Sequence, residues 1–239
     1  RYTLRPITYK TIRFLQRGQR YKRKLESILR EIEVTAPVEY IEHHIAHAAS
    51  CFYLSPFEEA MILTLDNMGE LDSTVMAIGK GTTIEVLKRQ RIPHSLGMLF
   101  GAMTDYLGFR AWDEEGKMMA LAAYGTPNIP LEDIIELGEG TFKIKEEFQM
   151  VQTVKGDHLF PKKLVKKYGQ PRRNGEPIQK VHMDFAASVQ SAVEKVAEHL
   201  VNWLYEKTGV PYLCLSGGVA LNCKMNGEFY TLQAQRHSL

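Results

Sequence analysis

The sequence predicts an α/β fold with helices packed on a mixed sheet, and three observations carry that expectation. Residues 60–66, Ala-Met-Ile-Leu-Thr-Leu-Asp, are a continuous apolar run closed by an acid, the pattern of a strand buried on both faces. Residues 74–79 and 83–89 give two more strands, joined by Gly79-Lys80-Gly81-Thr82, whose glycines suit a tight hairpin. Residues 184–207 form an amphipathic helix, with Phe185, Val189, Ala192, Val196, Leu200 and Leu204 recurring every three or four positions, and a strand from Tyr212 to Leu215 follows it.

The remaining elements fit around these. Residues 8–33 read as a helix with Ile12, Leu15, Leu25, Ile28, Leu29 and Ile32 in an apolar stripe and Gly18 as an interruption. Pro37 marks a break, Val38 to Ile41 is a candidate short strand, and a helix is expected from His43 to Tyr53. From Pro93 to Gly125 the pattern predicts helices broken at Gly108 and near Asp113-Glu114-Glu115-Gly116. Residues 126–180 are polar, Pro- and Gly-punctuated and Lys-rich, and read as an insertion or subdomain with a small hairpin strand at 142–145. Asp184 is the expected N-cap of the long helix, and Gly209 and Pro211 are its stop signals. The expected organisation is a basic helical arm over 1–37 and a core over 38–239, with 126–180 inserted in it.

Composition bounds the function. The chain has 239 residues, 44% apolar and 24% charged, which is ample for a packed core and excludes a wholly disordered chain. No apolar run approaches the roughly 20 residues that span a bilayer, and no secretory pattern opens the sequence, so a cytoplasmic protein without a membrane partner is expected. Three separated cysteines make neither a disulfide framework nor a zinc ribbon, and Cys214 and Cys223 are expected to pack as small apolar residues. Between Arg1 and Lys24 there are nine basic residues and no acid. A solvated helix face explains this stretch better than nucleic-acid binding, because it has no recognisable base-reading motif.

Four segments could carry chemistry. In Glu42-His43-His44-Ile45-Ala46-His47, a helix would put His43 and His47 on one face with Cβ atoms about 5–6 Å apart, a separation that lets two imidazoles share a metal; a pair of structural histidines is the competing reading. Asp66 closes the buried strand, where a carboxylate can act as a hard ligand near phosphate, and Gly69 would let backbone amides approach phosphate oxygens; a plain turn acid competes. Ser216-Gly217-Gly218 between a strand and a helix start, with Asn222 beyond, makes a nucleotide cradle or simply a tight turn. Lys117 opens an otherwise apolar helix, where it could hold a phosphate or carboxylate or merely snorkel.

Taken together and in order, these segments resemble the NodU/CmcH-type O-carbamoyltransferases. The carrying stretches are His43 to Ser50, Phe52-Tyr53, Ser55 to Ala60, Asp66, Gly116-Lys117, Leu121 to Gly125, Phe185 to Gln190 and Ser216 to Asn222. The resemblance implies an actin-like (ASKHA) ATPase core of the ribonuclease H-like type, here incomplete at both ends, since neither an early phosphate-turn strand nor a late Gly-Asp turn is visible. It also implies carbamoyl transfer from carbamoyladenylate, made from carbamoyl phosphate and ATP by a separate YrdC-like domain, to a hydroxyl of a sugar or antibiotic.

By the same resemblance, His43, His47 and Asp66 are metal ligands, and Ser216, Gly217, Gly218 and Asn222 form the nucleotide loop. Two histidines with carboxylates and open positions suit iron(II), with magnesium or manganese as alternatives. His44 and Asp105 are the candidates for the general base that the acceptor hydroxyl needs. Two other readings compete: a nucleotide- and metal-binding fragment without turnover, and an ASKHA sugar kinase, which leaves the histidine pair unexplained.

Overall fold

A computed structural model describes residues 9–150 and 158–229, with side chains from residue 20 onward. Contacts divide the chain into two units, Arg1–His43 and His44–Leu239. The tail from Thr231 lies outside the described residues.

In the first unit, helix α1 runs Tyr9–Glu31 without interruption. Gly18 was expected to break it, but one glycine costs only about 1 kcal/mol, and the Gln, Arg, Lys and Leu around it are good helix formers. The segment Val38 to Ile41 has no regular secondary structure, so the expected strand does not form there. Side chains fasten it instead: the Tyr40 hydroxyl donates to Glu26 Oε1 at 3.3 Å, and the Lys22 ammonium stands 4.3 Å from the Tyr40 ring centroid. Leu25 and Ile28 of the apolar stripe remain 43% and 42% exposed.

The second unit is built on a four-stranded sheet. Helix α2, His43–Phe52, precedes strands β1 (Glu59–Gly69), β2 (Asp72–Lys80) and β3 (Thr83–Arg91). Helices α3 (Leu96–Tyr106), α4 (Glu115–Ala122) and α5 (Leu131–Ile134) follow, then the hairpin β4 (Ile135–Gly138) and β5 (Thr141–Ile144). Helix α6 (Lys162–Tyr168), helix α7 (Lys180–Thr208) and strand β6 (Leu213–Ser216) complete it, with a 3-10 turn at Gly218–Leu221 and helix again over 223–229. The strand order is β3-β2-β1-β6, with β2 antiparallel to both β1 and β3 and β6 parallel to β1.

The sheet separates two apolar layers by strand alternation. Met61, Leu63, Leu65 and Met76 enter the large core with α3, α4 and α7. Ala60, Ile62, Val75, Ala77 and Cys214 face the other way and bury Ala48 and Phe52 of α2. Ile134, Ile135, Phe142, Ile144, Phe148, Phe160 and Leu164, from the stretch expected as an insertion, belong to the large core. The expected strand at 142–145 is the second arm of the β4–β5 hairpin.

The long helix starts earlier than predicted. Gln179, not Asp184, is its N-cap, closed by a capping box with His182. Asp184 instead accepts the Thr126 backbone N–H at 2.7 Å and so ties the loop after α4 to the helix. Gly209, at φ 67°, ends the helix as expected. Among the described residues no helix is long and apolar enough to cross a membrane.

The apolar stripes of α1 and α7 share a periodicity but not an environment. Leu200→Ala, at a position with no exposure, is expected to lose about 2–5 kcal/mol in urea unfolding, whereas Leu25→Ala loses less than about 1 kcal/mol.

Candidate functional site

Strand alternation positions the site. Ile62 faces α2, Thr64 reaches it, and Asp66 continues the same face where β1 leaves the sheet. Strand β6 runs parallel beside β1, with Ile62 opposite Cys214 and Thr64 opposite Ser216, so Ser216 ends on that face too. A carboxylate and a hydroxyl therefore emerge side by side at the C-terminal ends of two parallel strands, where open α/β sheets place their ligands.

His44 seats α2 on this edge. It is 1% exposed; its Nδ1 lies 2.7 Å from Thr64 Oγ1 and its Nε2 lies 3.1 Å from the Asp72 carbonyl oxygen. A carbonyl only accepts, so Nε2 carries the proton and Nδ1 accepts from the Thr64 hydroxyl. With both nitrogens so engaged and no solvent contact, His44 lies in the packing layer and outside the cavity beside Asp66.

One turn later, His47 stands over the strand ends. Its Nε2 is 3.0 Å from Asp66 Oδ2, and its Nδ1 is 3.1 Å from Ser216 Oγ. The other Asp66 oxygen accepts the Asn67 N–H at 2.6 Å and the Gly218 N–H at 3.4 Å. His43, the first residue of α2, is carried on the same helix. One ligand atom from each of His43, His47 and Asp66 lies within 4.8 Å of the other two. All three side chains are half-buried, a donor set of two imidazoles and one carboxylate.

Two glycines permit this closeness. Gly217 sits at φ 101°, and a Cβ there would come 2.2 Å from the Leu65 carbonyl oxygen, so the loop after β6 lies directly on β1. A Cβ on Gly97 would come 2.7 Å from the Asn67 backbone, which lets the first turn of α3 abut the strand end. Ser95 caps that turn, accepting the Met98 N–H at 3.1 Å and donating to the Asn67 carbonyl at 2.6 Å.

A cavity of about 470 Å³ opens beside Asp66. Asp66, Asn67, Gly218 and Asn222 form its polar end, and Phe100, Trp112, Met119, Val219 and Leu221 line an apolar wall. Asn67 Oδ1 is buried here with no hydrogen-bond partner among the described residues. A buried acceptor left unpaired costs about 1–3 kcal/mol, so this oxygen is an unmet cost at the edge of the cavity.

Not every expected residue converges. Asn222 lines the cavity, but its amide is committed to Gln190 through two reciprocal hydrogen bonds of 3.0 and 2.9 Å. Gly69 pairs with Asp72 at the base of the β1–β2 turn, where the positive φ falls on Glu70 instead, and Gly69 does not line the cavity. Lys117 is turned to Glu114 Oε1 at 2.5 Å, and that hydrogen bond holds the Glu114 carboxyl below its ordinary range. Neither Lys117 nor Ser216 is among the cavity's lining residues.

Asp105 lies at the far end of α3. At 1.5 Å per residue it is about 12 Å along the axis from Gly97, and it accepts the Leu159 N–H at 2.7 Å. Cys214 is buried as expected, but Cys223 is exposed. Cys51, also on the α2 face, is pushed up to about 11, first by burial, and is not poised as a nucleophile.

Sequence reasoning missed Asn67, Gly97, Trp112 and Gln190 as site-forming residues. Ser95 followed by an apolar run was a readable helix start, and it would have brought Gly97 to the strand end. Trp112 carried no such signal: it sits at φ 70° and packs against Gly101, a contact that only the folded chain creates.

Comparison with known proteins finds a family and several relatives. The family model described as carbamoyltransferase N-terminus matches residues 7–234. An uncharacterized protein of Synechocystis sp. is 41% identical over 197 residues, covering 80% of this chain and 32% of the relative. Nodulation protein NolNO of Sinorhizobium fredii is 36% identical over 196 residues, covering 80% and 27%. Nodulation protein NolO of Bradyrhizobium diazoefficiens is 34% identical over 192 residues, covering 79% and 33%. The chain thus spans about a third of the length of the curated relatives it matches.

The different settings of His44 and His47 lead to opposite expectations for stability. His44→Ala removes the hydrogen bonds to Thr64 and to the Asp72 carbonyl and leaves a void, costing about 2–4 kcal/mol in urea unfolding. His47→Ala, at a side chain 28% exposed, costs less than about 1 kcal/mol. Equal losses would show that His44 does not seat the helix.

Proposed function

Since the chain belongs to the carbamoyltransferase N-terminal family, we propose that it carries the acceptor-transfer centre of a metal-assisted O-carbamoyltransferase. The observation that carries this reading is the convergence of His43, His47 and Asp66 at the ends of β1 and β6.

The donor set fits a divalent ion. Two imidazole nitrogens and a carboxylate oxygen suit iron(II), manganese or magnesium in that order of softness. Two ligands at about 2.1 Å from one ion stand about 3 Å apart, and His47 Nε2 and Asp66 Oδ2 are 3.0 Å apart. Such an ion supplies a Lewis acid that polarises a carbonyl and offsets phosphate charge.

The chain's own groups prepare the centre. Ser216 Oγ can accept from Nδ1–H of His47, which leaves the Nε2 lone pair directed at Asp66. The Asn67 and Gly218 amides hold Asp66 Oδ1, which leaves Oδ2 for ligation. The carbamoyl donor is proposed to be carbamoyladenylate, made from carbamoyl phosphate and ATP by a YrdC-like partner. Its nucleoside would rest on the apolar wall of Phe100, Trp112 and Met119, with polar atoms toward Asn67 and Gly218. The acceptor is a hydroxyl-bearing small molecule.

The strand order supports the ribonuclease H-like, ASKHA reading of the fold. Three antiparallel strands followed by one parallel to the first, on the side away from the hairpins, is the arrangement that reading requires. The nucleotide loop then falls at Ser216-Gly217-Gly218.

Elemental mass spectrometry on chain reconstituted anaerobically with iron(II) tests the centre. The expected result is about one ion per chain, falling at least tenfold in His47→Ala and in Asp66→Asn with the unfolding midpoint of His47→Ala nearly unchanged. Carbamoylation of an acceptor, assayed with a YrdC-like domain supplied, is expected to fall with the metal. Wild-type protein that retains no ion of iron, manganese or magnesium would overturn the proposal.

A further inference from the structure

A second cavity, of about 1540 Å³, lies at the opposite end of α3 from Asp66. Its wall comes from that helix end, from the start of α6 and from the loop over 170–176, and it carries Arg110, Lys162, Arg172 and Arg173. Two carboxylates share the wall, Asp105 and Glu176. Each is engaged by backbone: Asp105 accepts the Leu159 N–H at 2.7 Å, and Glu176 accepts the Arg173 N–H at 2.8 Å. Asp105 also faces His158, whose Nδ1 is 3.6 Å away. Arg110 pairs with Asp113. Among the described residues, Lys162, Arg172 and Arg173 have no carboxylate partner.

Arg172 is the unusual member. It is 7% exposed, yet among the described residues its guanidinium is held only by carbonyl oxygens, Leu107 and Glu176 at 2.6 Å and Gly108 at 3.4 Å, and it lies 4.8 Å from the Phe109 ring centroid. The two carbonyls from α3's end offer partial negative charge, which offsets part of the cost of burying a cation but does not neutralise it. The charge is felt nearby: burial first, and then Arg172, hold the His182 imidazole below its ordinary range. The fork has five N–H donors and three are used, so donors remain for a ligand.

We propose that this cavity binds a phosphate-bearing small molecule, separately from the centre at Asp66. The wall sets four cations against two carboxylates, a net positive lining that suits an anion, and an arginine fork matches phosphate oxygens. The cavity is too large for a bare ion. Phe109 and Phe160 on its wall offer apolar surface to the organic part of a sugar phosphate or nucleotide. The site stands whether or not the carbamoyl-transfer reading holds.

Isothermal titration calorimetry of the 239-residue chain in EDTA tests it, with glucose 1-phosphate and inorganic phosphate as probes. Arg172 caps α3, so the variant is Lys162→Glu with Arg173→Glu, both at exposed positions. The expected result is binding that weakens at least tenfold in the double variant, weakens with added salt and is unchanged in His47→Ala. Tighter binding of glucose 1-phosphate than of phosphate supports an organic phosphate as the occupant, and equal binding supports a site for the phosphate group itself. Absence of binding by either probe, undiminished binding in the double variant, or loss in His47→Ala would overturn the proposal.

Discussion

The seating of α2 on the outer face of the sheet is the constraint on which the site depends. A strand alternates its side chains, so Ile62, Thr64 and Asp66 share one face of β1. A helix that packs on Ile62 through Ala48 and Phe52 carries its N-terminal half over Thr64 and Asp66. His44 fixes the crossing by bonding Thr64 and the Asp72 carbonyl at once. The helical repeat then brings the next turn, His47, to Asp66 and Ser216. The same alternation in β6 delivers Ser216. A polar contact buried in one layer thus sets the register of polar groups at its rim.

The close approach of three backbones makes the rim compact. The loop after β6 lies on β1 at Gly217, and the first turn of α3 lies against Asn67 at Gly97. These contacts bring the Gly218 amide to Asp66 and leave Asn67 Oδ1 buried without a partner among the described residues. A fold driven by stability alone would satisfy that oxygen. The unmet acceptor belongs to a residue of the cavity lining, which also includes the apolar side chains of Phe100, Trp112 and Met119.

Much of this was legible because it follows from local pattern. The run from Ala60 to Asp66 announced a buried strand with a terminal carboxylate, and the four-residue spacing of His43 and His47 announced a shared helix face. Ser216-Gly217-Gly218 announced a tight loop, although the sequence could not say that Gly217 is needed because Leu65 lies against it. His44 shows the limit: adjacent to His43, it read as a base candidate, and only the packing of α2 shows it occupied by Thr64 and Asp72. Asp105 read as near the chemistry because sequence has no measure of how far a helix carries a residue. The helix start at Asp184 was misplaced because a Gln179–His182 box is an uncommon cap and the acid had another use, holding Thr126.

Helix α3 connects the two cavities. Its first turn is locked to Asn67 by Ser95 and Gly97, and its last carbonyls are gripped by Arg172. Both ends of the helix thus have their orphan backbone groups engaged by side chains that line, or adjoin, a cavity. Eleven residues of regular helix between them form a stiff spacer with Met98, Leu99, Ala102 and Met103 buried in the core.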